Sequence, residues 1–142
     1  MPPDTPIILV SNADEEKHIE KCMWHYKESQ IPFSQENEII PLSYHIKSGD
    51  QIIAGINASM YAWNIIYVDM LFVEEAHRKG GLGSHLLEHV EREGKMRGAH
   101  LIHLETYDFQ AKDFYLALGY EIFGILEDCP KGHQRFFMKK NL

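Results

Sequence analysis

Arg78-Lys79-Gly80-Gly81-Leu82-Gly83-Ser84 is the stretch whose residue types most directly imply chemistry. Glycines at 80, 81 and 83 let the backbone turn sharply and come close to a ligand. A helix opening just beyond them offers unpaired N–H groups and a partial positive charge, which together suit phosphate. Arg78 and Lys79 add full charges at the mouth, so a pyrophosphate or a 3′-phosphate nucleotide would be held chiefly by backbone donors with side-chain help. The competing reading is a tight strand-to-helix turn with no ligand. Two familiar phosphate loops are excluded by spacing: no Gly-Lys-Ser/Thr follows, and Gly81-x-Gly83-x-x reaches Leu86 rather than a third glycine. Glu105, about twenty residues on, imitates the ribose-binding acid of a dinucleotide fold. That motif opens a βαβ unit, however, whereas an antiparallel meander precedes this loop.

Other stretches carry weaker chemistry. His85-Leu86-Leu87-Glu88-His89 spells His-x-x-Glu-His, which could bring two imidazoles to one metal and make a zinc hydrolase. Leu82, Leu86, Leu87 and Val90 claim the inward face of the same helix, so His85, Glu88 and His89 fall to its flank or to solvent, where a supported metal site is hard to build. No metal is expected. Asp128-Cys129-Pro130-Lys131-Gly132-His133-Gln134-Arg135 reads as a polar turn between two strands, a hairpin loop. Cys129 has no activating neighbour.

The elements that must position the loop follow from periodicity. Ile7–Val10 reads as a short buried strand, and Asn12 with Glu15 forms a capping box opening a helix that carries Ile19, Cys22, Met23 and Tyr26 at helical spacing. Ser29–Asn37 reads as a loop or a short second helix. From Ile39 the texture is that of a three-stranded meander, broken at Ser48-Gly49-Asp50 and near Trp63-Asn64, whose last and most apolar strand is Ile65–Val73. On that strand, alternation places Tyr67, Asp69 and Leu71 on one face. A helix follows from Leu82, closed by Gly98; then come a strand over His100–Thr106, a helix from about Phe109 to Leu118 ended by Gly119, and strands near Tyr120–Glu127 and Gln134–Met138. The order β-α-(α)-β-β-β-α-β-α-β-β implies a single α/β (α+β) domain over residues 1–142, with a parallel crossover between the Ile65 and His100 strands.

Composition limits the function classes. The 142 residues hold 14 Lys plus Arg against 21 Asp plus Glu, a formal charge of 14 − 21 = −7 with nine neutral histidines. That balance disfavours a nucleic-acid binder, whose phosphate contacts need clustered bases, and mildly favours a cationic acceptor. A hydrophobic fraction of 44% argues against disorder. Cys22 and Cys129, far apart, make neither a disulfide framework nor a thiolate zinc site, and the expected compartment is the reducing cytoplasm. No apolar run approaches the ~20 residues that span a bilayer, and the amino terminus lacks a signal-peptide pattern.

Arg78-Lys79-Gly80-Gly81-Leu82-Gly83 resembles the Gln/Arg-x-x-Gly-x-Gly/Ala signature of the GNAT superfamily of acyl-CoA-dependent N-acetyltransferases, between strand and helix as in that family. Ala111-Lys112-Asp113-Phe114-Tyr115-Leu116-Ala117-Leu118-Gly119-Tyr120 is similar to the family's helix with an aromatic-tyrosine pair that ends in Gly-aromatic. The resemblance implies a mixed, mostly antiparallel sheet of about six to seven strands flanked by helices. It implies acetyl-CoA as cosubstrate, with Leu71, Phe72 and Val73 exposing backbone to the pantetheine and Arg78, Lys79, Gly80, Gly81, Leu82, Gly83 and Ser84 around the pyrophosphate. Gln110 stands near the family's pantetheine-binding asparagine. A homodimer is expected only on this resemblance.

The activity so implied is transfer of acetyl to a primary amine of a small molecule or peptide by direct attack in a ternary complex; the alternative is a CoA- or nucleotide-binding module without catalysis. Tyr115 matches the tyrosine that protonates the leaving thiolate, against the plainer reading of a core aromatic. Asp69, a carboxylate interrupting an apolar strand, is the first candidate for the base or for an ammonium anchor, and Glu105 the second; either could instead be a structural ion-pair partner. Asp128 or His133 could help choose the acceptor.

Overall fold

The computed structural model describes residues 5–142, which divide into one compact unit ending at Phe33 and a second, Ser34–Leu142. In the first, helix α1 (Ala13–Gln30) starts at the expected capping box: Asn12 Oδ1 accepts from the Glu15 N–H at 2.9 Å and Glu15 Oε1 accepts from the Asn12 N–H at 3.0 Å. Acidic Asp14, Glu15 and Glu16 in the first turn and Lys27 in the last complement the helix dipole. Trp24 meets Phe33 edge-on at 5.8 Å. One expectation is corrected here. Ile7–Val10 forms no strand, and all four residues are at least 77% exposed, because apolar β-branched sequence makes a strand only where a neighbour supplies ladder partners. Of the two readings of Ser29–Asn37, the loop holds: α1 runs on to Gln30, and 31–38 contains only bends and irregular chain.

The second unit is built on a seven-stranded sheet: β1 (Ile39–Pro41), β2 (Tyr44–Ser48), β3 (Gln51–Tyr61), β4 (Ile65–Val73), β5 (Leu101–Tyr107), β6 (Glu121–Glu127) and β7 (Gln134–Asn141), in the order β1-β3-β4-β5-β7-β6 with β2 also on β3. Only β4 and β5 pair in parallel, as expected for strands joined through a helix. The meander has one strand more than its texture suggested, because the chain kinks at Leu42-Ser43. There the Leu42 N–H reaches the Ala58 carbonyl, and β1 and β2 pair with successive parts of β3.

Helix α2 (Leu82–Met96) lays Leu86, Leu87, Val90 and Gly94 on the sheet, where they join Ile56, Met60, Ile66, Ile102, Leu104 and Met138 in one core. Gly94 is required by that approach: a Cβ there would lie 2.2 Å from Ile66 Cδ1. Leu87 is fully buried, so Leu87→Ala leaves a cavity and is expected to cost about 2–5 kcal/mol of unfolding free energy, read as a lower urea midpoint at unchanged slope. Helix α3 (Lys112–Ala117) is shorter than expected at its start, since the segment before it is held in a turn in which Gln110 Oε1 accepts from the Tyr107 N–H at 3.0 Å. No helix among the described residues is long and apolar enough to cross a membrane.

Candidate active site

The sheet opens where β4 and β5 diverge. Their ladder covers Ile65–Val68 against Leu101–Leu104 and stops, although β4 continues to Val73 and β5 to Tyr107. A bulge begins the divergence: Val68 opposes Ala58 and Met70 opposes Asn57, leaving Asp69 unmatched. Leu71 and Val73 consequently turn toward the core, while Phe72 is 59% exposed. Beyond Val73 a 3-10 turn (Glu75–His77) leads into the glycine loop. Lys79 and Gly81 both adopt left-handed backbone, φ 68° and 82°. Gly81 is the α2 N-cap, has no side chain to offer as a cap, and is followed by a first turn without acidic residues. The first N–H groups of α2 thus keep their positive potential for an anion. Ser84 spends its hydroxyl on the Gly81 carbonyl at 3.0 Å, and Arg78 Nε donates to the Val73 carbonyl at 2.8 Å, tying the loop to the end of β4.

Helix α3 closes the same opening. A Cβ on Gly83 would stand 3.3 Å from Phe114 Cζ and 3.7 Å from Val73 Cγ2, so the end of β4, the first turn of α2 and α3 meet at a residue with no side chain. Tyr115 next door is 6% exposed, with its ring 5.2 Å from Phe114 and 5.7 Å from Tyr120. Burial pushes its hydroxyl up to about 12, and no hydrogen bond contributes. Tyr120 differs, donating to Glu91 Oε2 at 2.7 Å, while Lys140 reaches Glu91 Oε1 at 2.9 Å.

On the opposite face of the sheet a polar row crosses β4, β5 and β7. The Tyr67 hydroxyl donates to Glu105 Oε2, and burial together with that carboxylate raises Tyr67 to about 12. Arg135 approaches the same oxygen at 3.9 Å. His103, one register step back, is 2.7 Å from the Tyr61 hydroxyl through Nε2, and burial lowers its pKa. At the end of β5, Asp108 takes the His133 ring at 2.9 Å and the Gln134 N–H at 3.0 Å. Desolvation pushes Asp108 up, but these hydrogen bonds outweigh it and hold the carboxyl below its ordinary value.

The model of the acetyltransferase (GNAT) family matches residues 8–120. The chain belongs to the GNAT acetyltransferase family. It is 33% identical over 91 residues to blasticidin-S acetyltransferase of Streptomyces morookaense, covering 63% of this chain and 67% of that protein. The crystal structure of an acetyltransferase from Bacillus cereus superposes with a TM-score of 0.87 at 32% identity, covering 96% of this chain and 98% of that one. An aminoglycoside 6′-N-acetyltransferase complexed with coenzyme A shares the fold at a TM-score of 0.63 and 20% identity, covering 92% of this chain and 81% of that one.

In this GNAT chain the expected site residues do not all meet in one place. The loop and Val73 meet Phe114 at Gly83, with Leu71 packed on the core and Tyr115 the next residue of α3. Asp69 stands at its edge, but the bulge overturns the expected alternation with Tyr67 and Leu71: Asp69 is exposed, so the desolvation argument that singled it out does not apply. Gln110 commits its Oε1 to the Tyr107 turn. His89 packs edge-on to Tyr44 at 4.5 Å and shares its Nδ1 with Arg92, and no cluster of three metal-ligating side chains occurs among the described residues. Asp128 accepts from the Gly132 N–H within its own loop at 3.3 Å. Tyr67, Asp108 and Arg135 were missed, since only strand register brings them beside Glu105 or His133.

Proposed function

We propose that this chain is an N-acetyltransferase that moves acetyl from acetyl-CoA to a primary amine of a small molecule or peptide, within one domain spanning residues 1–142. The observation that carries the reading is the unpaired opening between β4 and β5, flanked by the uncapped start of α2 and by protonated Tyr115. Acetyl-CoA fits it: space lies open beside Gly80 and Gly81, where an added Cβ would meet only His77 O at 3.8 Å or Ser84 Oγ at 3.9 Å. Coenzyme A in the aminoglycoside acetyltransferase of the same fold supports that cosubstrate. When bound, the thioester supplies the acetyl carbon and a thiolate leaving group.

The residues then divide the work. Loop N–H groups with Arg78 and Lys79 hold the pyrophosphate, and Leu71–Val73 backbone lines the pantetheine. The amine nitrogen forms its bond to the carbonyl carbon as the carbon–sulfur bond breaks. Its proton leaves to Glu105 or, through water, to Asp69, and Tyr115 gives its proton to sulfur. Glu105 is the stronger candidate on geometry, being 18% exposed and held by Tyr67 at the mouth of the opening. Both cysteines are free, which suits the reducing cytoplasm.

Calorimetric titration of the metal-free protein with acetyl-CoA, followed by thiol release across an amine panel, tests this. Saturable binding with amine-dependent thiol release is expected. Binding without release for any amine overturns catalysis in favour of a CoA-binding module, and no binding by folded protein overturns both.

A further inference from the structure

Arg135 is placed as if to receive an anion. It stands opposite Tyr107 in the β5–β7 ladder, with its guanidinium carbon 5.5 Å from the ring centroids of both Tyr107 and Phe137. Its Nε is buried and has no hydrogen-bond partner among the described residues. Glu105 Oε2, which already receives the Tyr67 hydroxyl, stays 3.9 Å from an Nη nitrogen, beyond hydrogen-bond reach. Arginine carries five donors in a rigid planar fork, and a buried donor is unfavourable unless some acceptor meets it. The guanidinium is stacked on aromatic rings, its Nε meets no acceptor, and its one ion-pair partner among the described residues, Glu105, stands at the long distance of 3.9 Å.

The fork and Glu105 together present opposite charges 3.9 Å apart at the mouth of the β4–β5 opening. We infer that this pair selects an acceptor whose amine and carboxylate sit on one carbon, a free α-amino acid, with the ammonium on Glu105 and the carboxylate on Arg135. The inference rests on the transferase reading and narrows its acceptor. A planar carboxylate matches the fork bidentately, whereas a phosphate dianion would meet repulsion from the adjacent Glu105. Tyr107 and Phe109 stack at 5.2 Å with an interplanar angle of 10°, and Phe109 is 61% exposed, so an aromatic or aliphatic side chain has an apolar wall beside the charged pair. This acceptor differs from the cationic one that net charge alone suggested, because charge steers encounter while paired groups set identity.

The test compares phenylalanine, its decarboxylated amine phenethylamine and its aminophosphonate analogue at saturating acetyl-CoA, with wild type, Arg135→Gln and Arg135→Lys. Wild type is expected to favour phenylalanine over phenethylamine by roughly 10- to 100-fold in kcat/KM, the factor for losing a charge-assisted pair. Arg135→Gln should abolish that preference, with the KM for phenylalanine rising toward that for phenethylamine, and Arg135→Lys should restore part of it. A readout independent of turnover is the nitrogen-15 resonance of Arg135 Nε–H, identified by its loss in Arg135→Lys, which should move with phenylalanine and stay still with phenethylamine. Equal use of both amines with an unmoved resonance overturns this inference and leaves the transferase reading standing. Equal or better use of the aminophosphonate overturns the carboxylate assignment. A resonance that moves with phenylalanine while no amine is acetylated supports the site and overturns the transferase reading.

Discussion

Acetyl-CoA affinity is expected to fall on the order of 10²-fold or more when Gly81 is replaced by valine, measured by calorimetry on folded protein. Gly81 holds φ at 82°, a region that a β-branched residue occupies only under strain of about 1–2 kcal/mol. Relief of that strain rotates the peptide that leads into Leu82, and the N–H groups of the first turn of α2 rotate with it. A pyrophosphate held by several charge-assisted bonds loses more than one of them together, which is why the expected effect exceeds a single hydrogen bond. The control is Gly49→Val, at φ 61° in the β2–β3 turn with nothing within 4 Å of its added Cβ. It should lose comparable stability and keep its affinity. Equal loss of affinity in both variants would mean that the effect comes through global stability, and unchanged affinity in Gly81→Val would move the phosphates elsewhere.

What could be read ahead of the fold was local. The capping box at Asn12 and Glu15, the apolar stripe of α2 and the glycine loop each depend on residues within a turn or two of one another, and each stands where its spacing put it. What escaped was set by register. Asp69 seemed costly because alternation was carried straight along β4, and the bulge opposite Asn57 and Ala58 lies in the pairing with β3 rather than in the sequence of β4. Tyr67 and Glu105 are 38 positions apart, and only the parallel ladder of β4 with β5 brings them together. Arg135 lies 28 positions beyond Tyr107, and only the antiparallel pairing of β7 with β5 sets the two side by side. Ile7–Val10 shows the reverse failure, in which strong local β preference met no ladder.

Replacing Tyr115 by phenylalanine is expected to lower kcat by roughly 10²- to 10⁴-fold while changing acetyl-CoA affinity little, since the ring that packs against Phe114 and Tyr120 is kept and only the proton donor is lost. The pH dependence separates this role from packing. Burial raises the hydroxyl to about 12, so Tyr115 stays protonated at every pH where the fold is sound and contributes no falling limb to kcat below about pH 10. The same shift acts on stability with a definite sign. The folded state keeps a proton that the unfolded state releases near 10, so the stabilisation is whole below pH 10 and is lost as pH rises from 10 to about 12. Across that window this tyrosine withdraws about 3 kcal/mol, which Tyr115→Phe should spare. Wild type should therefore lose thermal stability relative to Tyr115→Phe as pH climbs above 10, whatever their offset at neutral pH. A variant with wild-type kcat would make Tyr115 a packing residue and assign sulfur protonation to solvent, whereas parallel melting curves from pH 9 to 12 would show that its hydroxyl titrates as freely folded as unfolded.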